Sequence, residues 1–473
     1  MRSIHGPYLG RSRVAERVDA IVLGLGVGGE ELAGSLAEKG LKVVGIESNL
    51  VGGECPYFGC IPTKMMIRAD DMLAEGRRIP GFAGDSSVKP DWTPVAQRIR
   101  TVATDNWDDR LAVERFERNG GHFVRGAGKL AGPGKVSVNG TTYEATRAIV
   151  IATGTSPAVP PIPGLDRVKY WTNREAVKVE QLPESLVILG GGAIGVELSQ
   201  VFARFGVKVS IIEGMNRVLA MEEPEAGAVL DEVLRRDGVD LYLNALAQSV
   251  AQAGDGVIVN LQDGRKVTGE QLLVATGRRA NLMDIGLETV GLDPAARLLE
   301  PDDHLRVGER LWAIGDVTVG GGFTHMAIYH ADIVINDVLG TPGPGADYRA
   351  KPRVTFTDPE VGAAGLTEEQ AHKKGINVRT GLQKASVTSR GWIHGPGNEG
   401  FIKVVEDADR GVLVGATTMG PRGGDLLGLF ELAIKLQIPS DELRHLIYAY
   451  PTFYRGSGEA VRKLGPDAHT PLR

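Results

Sequence analysis

The stretch that decides the fold reads Ala20-Ile21-Val22-Leu23-Gly24-Leu25-Gly26-Val27-Gly28-Gly29. Its apolar start is typical of a buried strand, and the glycines are typical of a tight turn that opens a helix. A second apolar strand follows over residues 41–46, and Glu47 stands 23 residues after Gly24. Strand, glycine turn, helix, strand and acid make up a dinucleotide-binding βαβ unit, in which helix N-terminal N–H groups hold a pyrophosphate and the acid holds a ribose. The predicted binding residues are Gly24, Gly26, Gly29 and Glu47.

The chain repeats this pattern in the run Leu186-Val187-Ile188-Leu189-Gly190-Gly191-Gly192-Ala193-Ile194-Gly195-Val196-Glu197. A strand over residues 207–212 then ends at Glu213, again 23 residues after the first glycine of its loop. We predict a second dinucleotide site from Gly190, Gly192, Gly195 and Glu213. Because a carboxylate repels a 2′-phosphate, Glu213 favours NADH over NADPH. The nearest basic residue on that loop is Arg217.

Cys55 and Cys60 are the only cysteines in the 473 residues. Such a pair favours redox or metal chemistry over a structural staple, although two buried core cysteines remain an alternative. In an ideal helix their Cα atoms would be about 8 to 9 Å apart, beyond the limit of roughly 7 Å for a disulfide. A disulfide therefore needs an irregular helix start, which Pro56 and Gly59 permit before a helix that runs through Arg68. Two sulfurs are too few for structural zinc, so no metal site is predicted.

Composition describes a soluble multidomain protein with 42% hydrophobic residues, 24% charged residues and 64 glycines. A net charge of −6 gives no reason to expect a nucleic acid or an anionic membrane as partner. No apolar run reaches the roughly 18 to 20 residues of a membrane span, and residues 1–7 lack the apolar core of a signal peptide. The expected location is cytoplasmic, with a small-molecule substrate.

Two dinucleotide loops around a cysteine pair resemble the flavoprotein disulfide reductases, which include dihydrolipoamide dehydrogenase, glutathione reductase, mycothione reductase and mercuric reductase. The resemblance covers nearly all of the chain after residue 18. Beyond the loops it depends on Gly53-Glu54-Cys55 to Lys64, Ala152-Thr153-Gly154, Ala275-Thr276-Gly277-Arg278-Arg279, Ala313-Ile314-Gly315-Asp316-Val317 and Phe356-Thr357-Asp358-Pro359-Glu360-Val361-Gly362.

The resemblance implies FAD on the first loop and NAD(P)H on the second, with Gly53, Thr153, Gly154 and Gly277 among the cofactor-binding residues. It places Glu47 at the adenosine ribose and Asp316 near the ribityl chain. It also places Lys64 beside the flavin ring, paired with Glu197. Cys60 would face the flavin and Cys55 would exchange with substrate. Two alternatives remain open: Lys64 as a surface helix lysine, and Asp316 as a cap of the helix that follows.

The implied fold is α/β, with two Rossmann-like dinucleotide-binding domains and a C-terminal α+β dimerisation domain. The FAD-binding domain covers 19–155 and 281–347, the NAD(P)-binding domain 156–280, and the C-terminal domain 348–473. Residues 342–345, Pro-Gly-Pro-Gly, suit a linker. The family forms homodimers through this last domain.

The chain departs from the family near its C-terminus, where family members carry a histidine and, five residues later, a glutamate as acid and base for the dithiol. Here Tyr450 and Arg455 stand at those positions. A phenol with a pKa near 10 is a poor base at neutral pH. Arg455 could stabilise a thiolate or bind an anionic substrate, and a structural role for both residues is equally open.

These features predict an FAD-dependent oxidoreductase that passes electrons from NAD(P)H through FAD and a Cys55–Cys60 disulfide to a small disulfide or a quinone-type acceptor. The alternatives are reduction of metal ions, a carbonyl-cleaving carboxylase, and a non-catalytic redox sensor. No further cysteine is present to deliver a metal ion, which argues against the first of these.

Overall fold

The computed structural model describes residues 15–341 and 343–465, so Pro342 of the predicted linker lies outside the described residues. The strands are β1 Glu16–Leu23, β2 Val43–Glu47, β3 His122–Arg125, β4 Lys129–Leu130, β5 Lys135–Val138, β6 Thr141–Ile151, β7 Thr155–Pro157, β8 Ser185–Leu189, β9 Lys208–Ile212, β10 Asp240–Tyr242, β11 Ala247–Ala253, β12 Gly256–Leu261, β13 Lys266–Gly269, β14 Gln271–Val274, β15 Arg278–Ala280, β16 Arg306–Gly308, β17 Leu311–Ala313, β18 Pro352–Thr355, β19 Glu360–Gly365, β20 Val378–Lys384, β21 Phe401–Asp407 and β22 Val412–Gly420.

The α-helices are α1 Val27–Glu38, α2 Glu54–Tyr57, α3 Cys60–Arg78, α4 Thr93–Arg98, α5 Arg110–Arg118, α6 Asn173–Ala176, α7 Ala193–Arg204, α8 Pro224–Arg236, α9 Thr324–Leu339, α10 Glu368–Lys373, α11 Ser389–His394, α12 Gly423–Leu436, α13 Ser440–His445 and α14 Phe453–Arg462. Short 3₁₀ or π turns cover Ile99–Ala103, Asp105–Trp107, Leu165–Arg167, Leu287–Val290 and Gly315–Val317. No helix within residues 15–341 and 343–465 is long and apolar enough to span a membrane.

The chain divides into two compact units. The first holds the residues up to Tyr57 together with Trp107–Ser156 and Arg279–Ala346, and the second holds Phe58–Asn106, Pro157–Arg278 and the chain from Asp347 onward. Residues 58–106, which fall within the predicted FAD-binding range, cluster with the second unit. The division into three domains stays a prediction.

The first unit is built on one sheet in the order β16-β17-β6-β1-β2-β3, with β5 and β4 added at β6. β1 is parallel to both β2 and β6. Alternate residues of β1 face opposite sides: Ile21 and Leu23 belong to one apolar core, Ala20 and Val22 to another. The sheet is therefore covered on both faces, as a parallel sheet requires. Because its connections diverge between β1 and β6, the carboxyl ends of these two strands form the expected ligand crevice.

The second unit contains a four-stranded parallel sheet in the order β10-β9-β8-β14, which repeats the β3-β2-β1-β6 order of the first unit. It also contains a three-stranded antiparallel sheet of β11, β12 and β13 and a five-stranded antiparallel sheet in the order β18-β19-β22-β21-β20. The core under this last sheet includes Phe430 from α12 and Val461 from α14. The predicted α/β class is confirmed, and the apolar runs 41–46, 186–189 and 207–212 lie in or overlap strands β2, β8 and β9.

Candidate active site

The first glycine loop joins the end of β1 to α1 and lies against the residues after β6. Gly24 has φ +93°, and a Cβ there would lie 2.4 Å from the carbonyl oxygen of Ala152. A Cβ on Gly29 would lie 2.1 Å from the oxygen of Gly24, whereas one on Gly26 would meet nothing within 4 Å. Gly24 and Gly29 are thus required for the tight turn and the close packing, while Gly26 leaves open the space at the N-terminus of α1.

The second loop, between β8 and α7, repeats these contacts. Gly190 has φ +107°, and its Cβ would lie 2.5 Å from the oxygen of Ala275. A Cβ on Gly195 would lie 2.0 Å from the oxygen of Gly190, and one on Gly192 would again meet nothing within 4 Å. Gly277, at φ +127°, lies just beyond β14 and accepts a hydrogen bond from Ala158 N. The same three-glycine geometry therefore occurs at two separate helix N-termini.

Glu47, at the end of β2, and Glu213, directly after β9, are oriented alike. Glu47 Oε2 accepts from Leu25 N at 2.8 Å, and its Oε1 accepts from Asn49 N at 2.7 Å. Glu213 Oε2 accepts from Gly191 N at 2.6 Å, and its Oε1 accepts from Met215 N at 2.7 Å. Each carboxylate is held beside its glycine loop by two N–H groups, in the place where the fingerprint sets the ribose acid.

Three further predicted FAD contacts lie in the same unit as the first loop. Gly53 has φ +68°, and its Cβ position is 2.9 Å from Gly26 Cα. Thr153 Oγ1 donates to Asn281 O at 2.8 Å, and Asn281 Nδ2 donates back to Thr153 O at 2.9 Å. The N–H of Asn281 also donates to the oxygen of Gly154 at 2.9 Å. Asn281 is a residue that sequence reasoning missed; it follows the Gly277-Arg278-Arg279 motif but stands apart from it.

Asp316 lies in the 3₁₀ turn Gly315–Val317, directly after β17. Its Oδ2 accepts from Thr155 Oγ1 at 3.0 Å, and its Oδ1 accepts from Gly322 N at 3.1 Å. The next helix, α9, begins at Thr324 with Phe323 as its N-cap, so Asp316 does not cap it. Asp316 instead joins the residues after β6 to the loop before α9.

These residues of the first unit fit FAD, because the crevice offers one place for its central pyrophosphate and another for its adenosine ribose. The space over Gly26 can take a pyrophosphate without a Cβ clash, and Glu47 stands where a ribose would hydrogen-bond. Bound FAD would supply two-electron transfer chemistry that side chains lack. Within the described residues 15–341 and 343–465, no group of three or more His, Cys, Asp or Glu could hold a metal ion.

The cysteines lie on either side of a break between two helices. Cys55 is a half-buried residue of α2, and Cys60 is the exposed first residue of α3. Gly59 separates them with φ −126° and ψ −116°, and its oxygen accepts from Thr63 N at 3.0 Å and Thr63 Oγ1 at 2.9 Å. The predicted irregular helix start is present, and α3 continues past Arg68.

Lys64 follows Cys60 by one turn of α3 and pairs with Glu197 of α7. The Lys64 Nζ to Glu197 Oε2 distance is 2.6 Å, and the Glu197 side chain is only 7% exposed. Glu197 Oε1 accepts from Phe356 N at 2.8 Å, while the Lys64 ammonium lies 4.5 Å from the centre of the Phe356 ring. The ion pair implied by the resemblance is present, and the Lys64 side chain is 33% exposed. A role beside the flavin stays a prediction.

Tyr450 and Arg455, which stand at the histidine and glutamate positions of the resemblance, lie close together. The Arg455 guanidinium lies 5.4 Å from the centre of the Tyr450 ring, and its Nε lies 3.7 Å from Glu459 Oε1. Thr452 caps α14 by accepting from Arg455 N at 3.1 Å. Nearby, Tyr448 donates to Leu443 O at 2.8 Å, and burial raises the pKa of Tyr448 to about 12. These two positions therefore hold a cation over an aromatic ring, not an imidazole beside a carboxylate.

The chain matches one protein family over most of its length. Residues 18–331 match the family described as pyridine nucleotide-disulphide oxidoreductase, and residues 351–461 match its dimerisation domain. The chain is 30% identical to mercuric reductase of Staphylococcus aureus over 93% of this chain and 81% of that protein. It is 32% identical to dihydrolipoyl dehydrogenase of Halobacterium salinarum over 97% of this chain and 98% of that protein.

Two solved structures have similar folds. LpdA from Mycobacterium tuberculosis aligns with a TM-score of 0.83 and 26% identity, covering 95% of this chain and all of that one (100%). The HOCl-induced flavoprotein disulfide reductase RclA from Escherichia coli aligns with a TM-score of 0.82 and 26% identity, covering 94% of this chain and 100% of that one. The similarity therefore includes both glycine loops, the cysteine segment and the C-terminal region.

Proposed function

Because this chain belongs to the pyridine nucleotide-disulphide oxidoreductases, we propose that it passes electrons from NADH through FAD and a Cys55–Cys60 disulfide to a small disulfide or a quinone-type acceptor. The observation that carries the proposal is the position of Cys60. It begins α3 just after a helix break, one turn before a lysine that is ion-paired to the helix of the second glycine loop. NAD(P)H and FAD as cofactors, an oxidoreductase activity and a homodimer follow from the family.

The side chains of this chain hold the reactants and control charge. The first loop, with Glu47 and Asp316, binds FAD, and the second loop, with Glu213, binds NADH. Glu197 orients Lys64, whose charge stabilises negative charge that develops nearby. The N-terminus of α3 favours Cys60 as a thiolate once the disulfide is reduced.

The proposed disulfide exchange transfers two electrons from the cysteine pair to the acceptor. Two electrons break the S–S bond between Cys55 and Cys60, and the two sulfurs become thiolates or take up protons. The Cys55 thiolate attacks one sulfur of the acceptor disulfide, forming a mixed disulfide and releasing the first acceptor thiol. The Cys60 thiolate then attacks Cys55 Sγ, which restores the Cys55–Cys60 bond and releases the second thiol.

The side chains of Tyr450 and Arg455 limit which acceptors the enzyme can reduce. Neither side chain is a base at neutral pH, so we infer that the acceptor releases thiols of low pKa, which leave without protonation. The cationic Arg455 favours an acceptor that carries an anionic group close to its disulfide. A quinone has no thiol leaving group, so its reduction also requires no base at these two positions.

Anaerobic titration of the holoenzyme with NADH tests the disulfide relay. We expect two electrons to produce a long-wavelength absorbance band, from the Cys60 thiolate against oxidised flavin, and Cys60→Ser to abolish it while FAD content stays unchanged. Direct bleaching of the wild-type flavin without such a band would contradict the relay. Turnover below roughly 1 s⁻¹ with every acceptor tried would instead favour a redox sensor.

Direct reduction of an acceptor by the flavin is a second candidate, favoured by the Tyr450 and Arg455 substitutions themselves. The relatives include mercuric reductases, and a further structure of the RclA protein is described as its Cu(II) complex. The acceptor panel therefore includes menadione, Hg(II) and Cu(II) beside disulfides. NADH oxidation by these acceptors that persists in Cys60→Ser would support this second route.

We further propose that Glu213 makes the enzyme prefer NADH. The nearest basic residue along that loop, Arg217, donates to the oxygen of Ala220 at 2.9 Å. Glu213→Gln keeps the shape but removes the charge, so we expect the ratio of kcat/KM for NADH to that for NADPH to fall about tenfold. Steady-state kinetics with both nucleotides measure this ratio.

Glu47→Gln is the matched control, because Glu47 makes the same two backbone contacts in the other loop. It should weaken FAD retention and leave the nucleotide ratio as in the wild type. An unchanged ratio in Glu213→Gln, or an equal fall in both variants, would contradict the assignment.

A further inference from the structure

Two consecutive carbonyl groups between the cysteines accept hydrogen bonds from distant side chains. In the first unit, Trp107 Nε1 donates to the oxygen of Tyr57 at 3.0 Å. In the second unit, Asn173 Nδ2 donates to the oxygen of Phe58 at 2.8 Å. Tyr57 and Phe58 stand at the break between α2 and α3, where the backbone leaves its helical pattern.

The contact from Asn173 is buried. Asn173 is 6% exposed and Phe58 is 6% exposed, so water cannot easily replace the lost hydrogen bond. A hydrogen bond to a buried carbonyl is not readily exchanged for one to water, so the Asn173 contact restrains this stretch of backbone. Asn173 opens the short helix α6, whose Thr172 and Glu175 form a reciprocal capping box that fixes its start.

The same helix region secures the Phe58 side chain. The Arg174 guanidinium lies 5.1 Å from the centre of the Phe58 ring, and the Lys178 ammonium lies 5.1 Å from the same centre. Both cations attract the ring face. Backbone and side chain of Phe58, two residues before Cys60, are therefore held by one segment.

Trp107 is presented by a strained turn. Asp105, Asn106 and Trp107 have φ of 45°, 58° and 59°, a left-handed run that non-glycine residues seldom adopt. Such conformations persist where the surroundings fix them, and they concentrate at functional sites. From this turn, the indole N–H of Trp107 donates to the oxygen of Tyr57, the residue before Phe58.

We propose that Asn173 and Trp107 are positioning residues of the redox pair, which fix the Tyr57 and Phe58 carbonyls so that the helix break holds Cys55 and Cys60 in a geometry that can close and open a disulfide. This inference deepens the proposed function and rests on it. Without the two donors, the segment would relax toward other backbone conformations, and closing the disulfide would cost more conformational entropy.

The test uses full-length holoenzyme carrying Asn173→Asp, which keeps the shape of the side chain but removes its donor. We expect the equilibrium constant for forming the Cys55–Cys60 disulfide, measured in dithiothreitol redox buffers by alkylation and mass spectrometry, to fall about tenfold. The kcat for disulfide acceptors should fall by a similar factor while the KM for NADH stays unchanged. Trp107→Phe, which removes the indole N–H and keeps a smaller aromatic ring, should shift the same equilibrium about threefold.

Asn398→Asp serves as control, because Asn398 Nδ2 also donates to a backbone oxygen, that of Gly391 at 2.8 Å, which lies outside the cysteine segment. It should keep the wild-type redox equilibrium. The positioning role is overturned if both Asn173→Asp and Trp107→Phe keep that equilibrium, or if Asn398→Asp shifts it as much. Trp107→Phe carries the test alone if Asn173→Asp does not fold. Failure of the relay itself is distinguishable, because the wild type would then lack the long-wavelength band.

Discussion

Cys55→Ser is expected to lose turnover with disulfide acceptors by at least about 1000-fold and to retain turnover with menadione. A serine hydroxyl does not ionise at neutral pH, so it cannot attack a disulfide sulfur or form the mixed disulfide. A thousandfold loss corresponds to about 4 kcal/mol of transition-state stabilisation. The measurement compares kcat for an aromatic disulfide and for menadione in the same NADH-driven assay.

The comparison between the two acceptors is the internal control, since both depend on NADH and FAD binding. The FAD content of the variant is measured by absorbance, so a loss of cofactor is not mistaken for a loss of chemistry. Equal loss of both activities at full FAD content would contradict the separate routes. Retained disulfide turnover would remove Cys55 from the exchange step.

The glycine loops could be predicted from sequence because their function is local. The tight turn, the close packing and the open space each depend on one glycine, and the three stand within six residues of each other. The helix break was likewise predictable, because an ideal helix cannot bring residues five apart within disulfide distance. Gly59 and Pro56 signalled where the irregularity would occur.

The side chains that hold these local elements were not predictable. Asn173 and Phe58 are 115 residues apart, and Trp107 and Tyr57 are 50 apart. A lone asparagine or tryptophan carries no pattern that names its partner, and such contacts arise only when the whole chain folds. The departure at Tyr450 and Arg455 was visible in sequence, whereas their cation–π contact required the three-dimensional arrangement.

Arg204 is a buried arginine of α7, and its side chain is only 4% exposed. Its guanidinium contacts three carboxylates of the second unit: Asp70 at 3.2 Å, Asp237 at 2.9 Å and Asp358 at 2.9 Å. Burial raises the pKa of Asp70 well above its usual value, while Arg204 opposes this rise. Burial and Asp358 also raise the pKa of the adjacent Asp71 to about 6. Asp358 is also paired with Arg78, so the carboxylate that depends most on Arg204 is the buried Asp70.

Arg204→Met is expected to destabilise the protein by about 3–5 kcal/mol, because it leaves Asp70 buried without its cation. Arg235→Met is the matched control, since Arg235 makes an exposed pair with Asp231 one helical turn away; it should cost less than about 0.5 kcal/mol. Urea denaturation of both variants against the wild type measures the difference. A loss in Arg204→Met no greater than in Arg235→Met would contradict the compensating role.

The pH dependence separates lost charge compensation from lost packing. Without Arg204, the folded-state pKa values of Asp70 and Asp71 rise further, so between the unfolded value near 4 and the raised values the folded state binds more protons than the unfolded state. Its stability then falls as pH rises through this window. We therefore expect the loss in Arg204→Met to be larger at pH 8 than at pH 5. Adding Asp70→Asn should restore part of the stability at pH 8, because it removes one uncompensated charge and leaves the cavity unchanged; a pure packing defect would not respond.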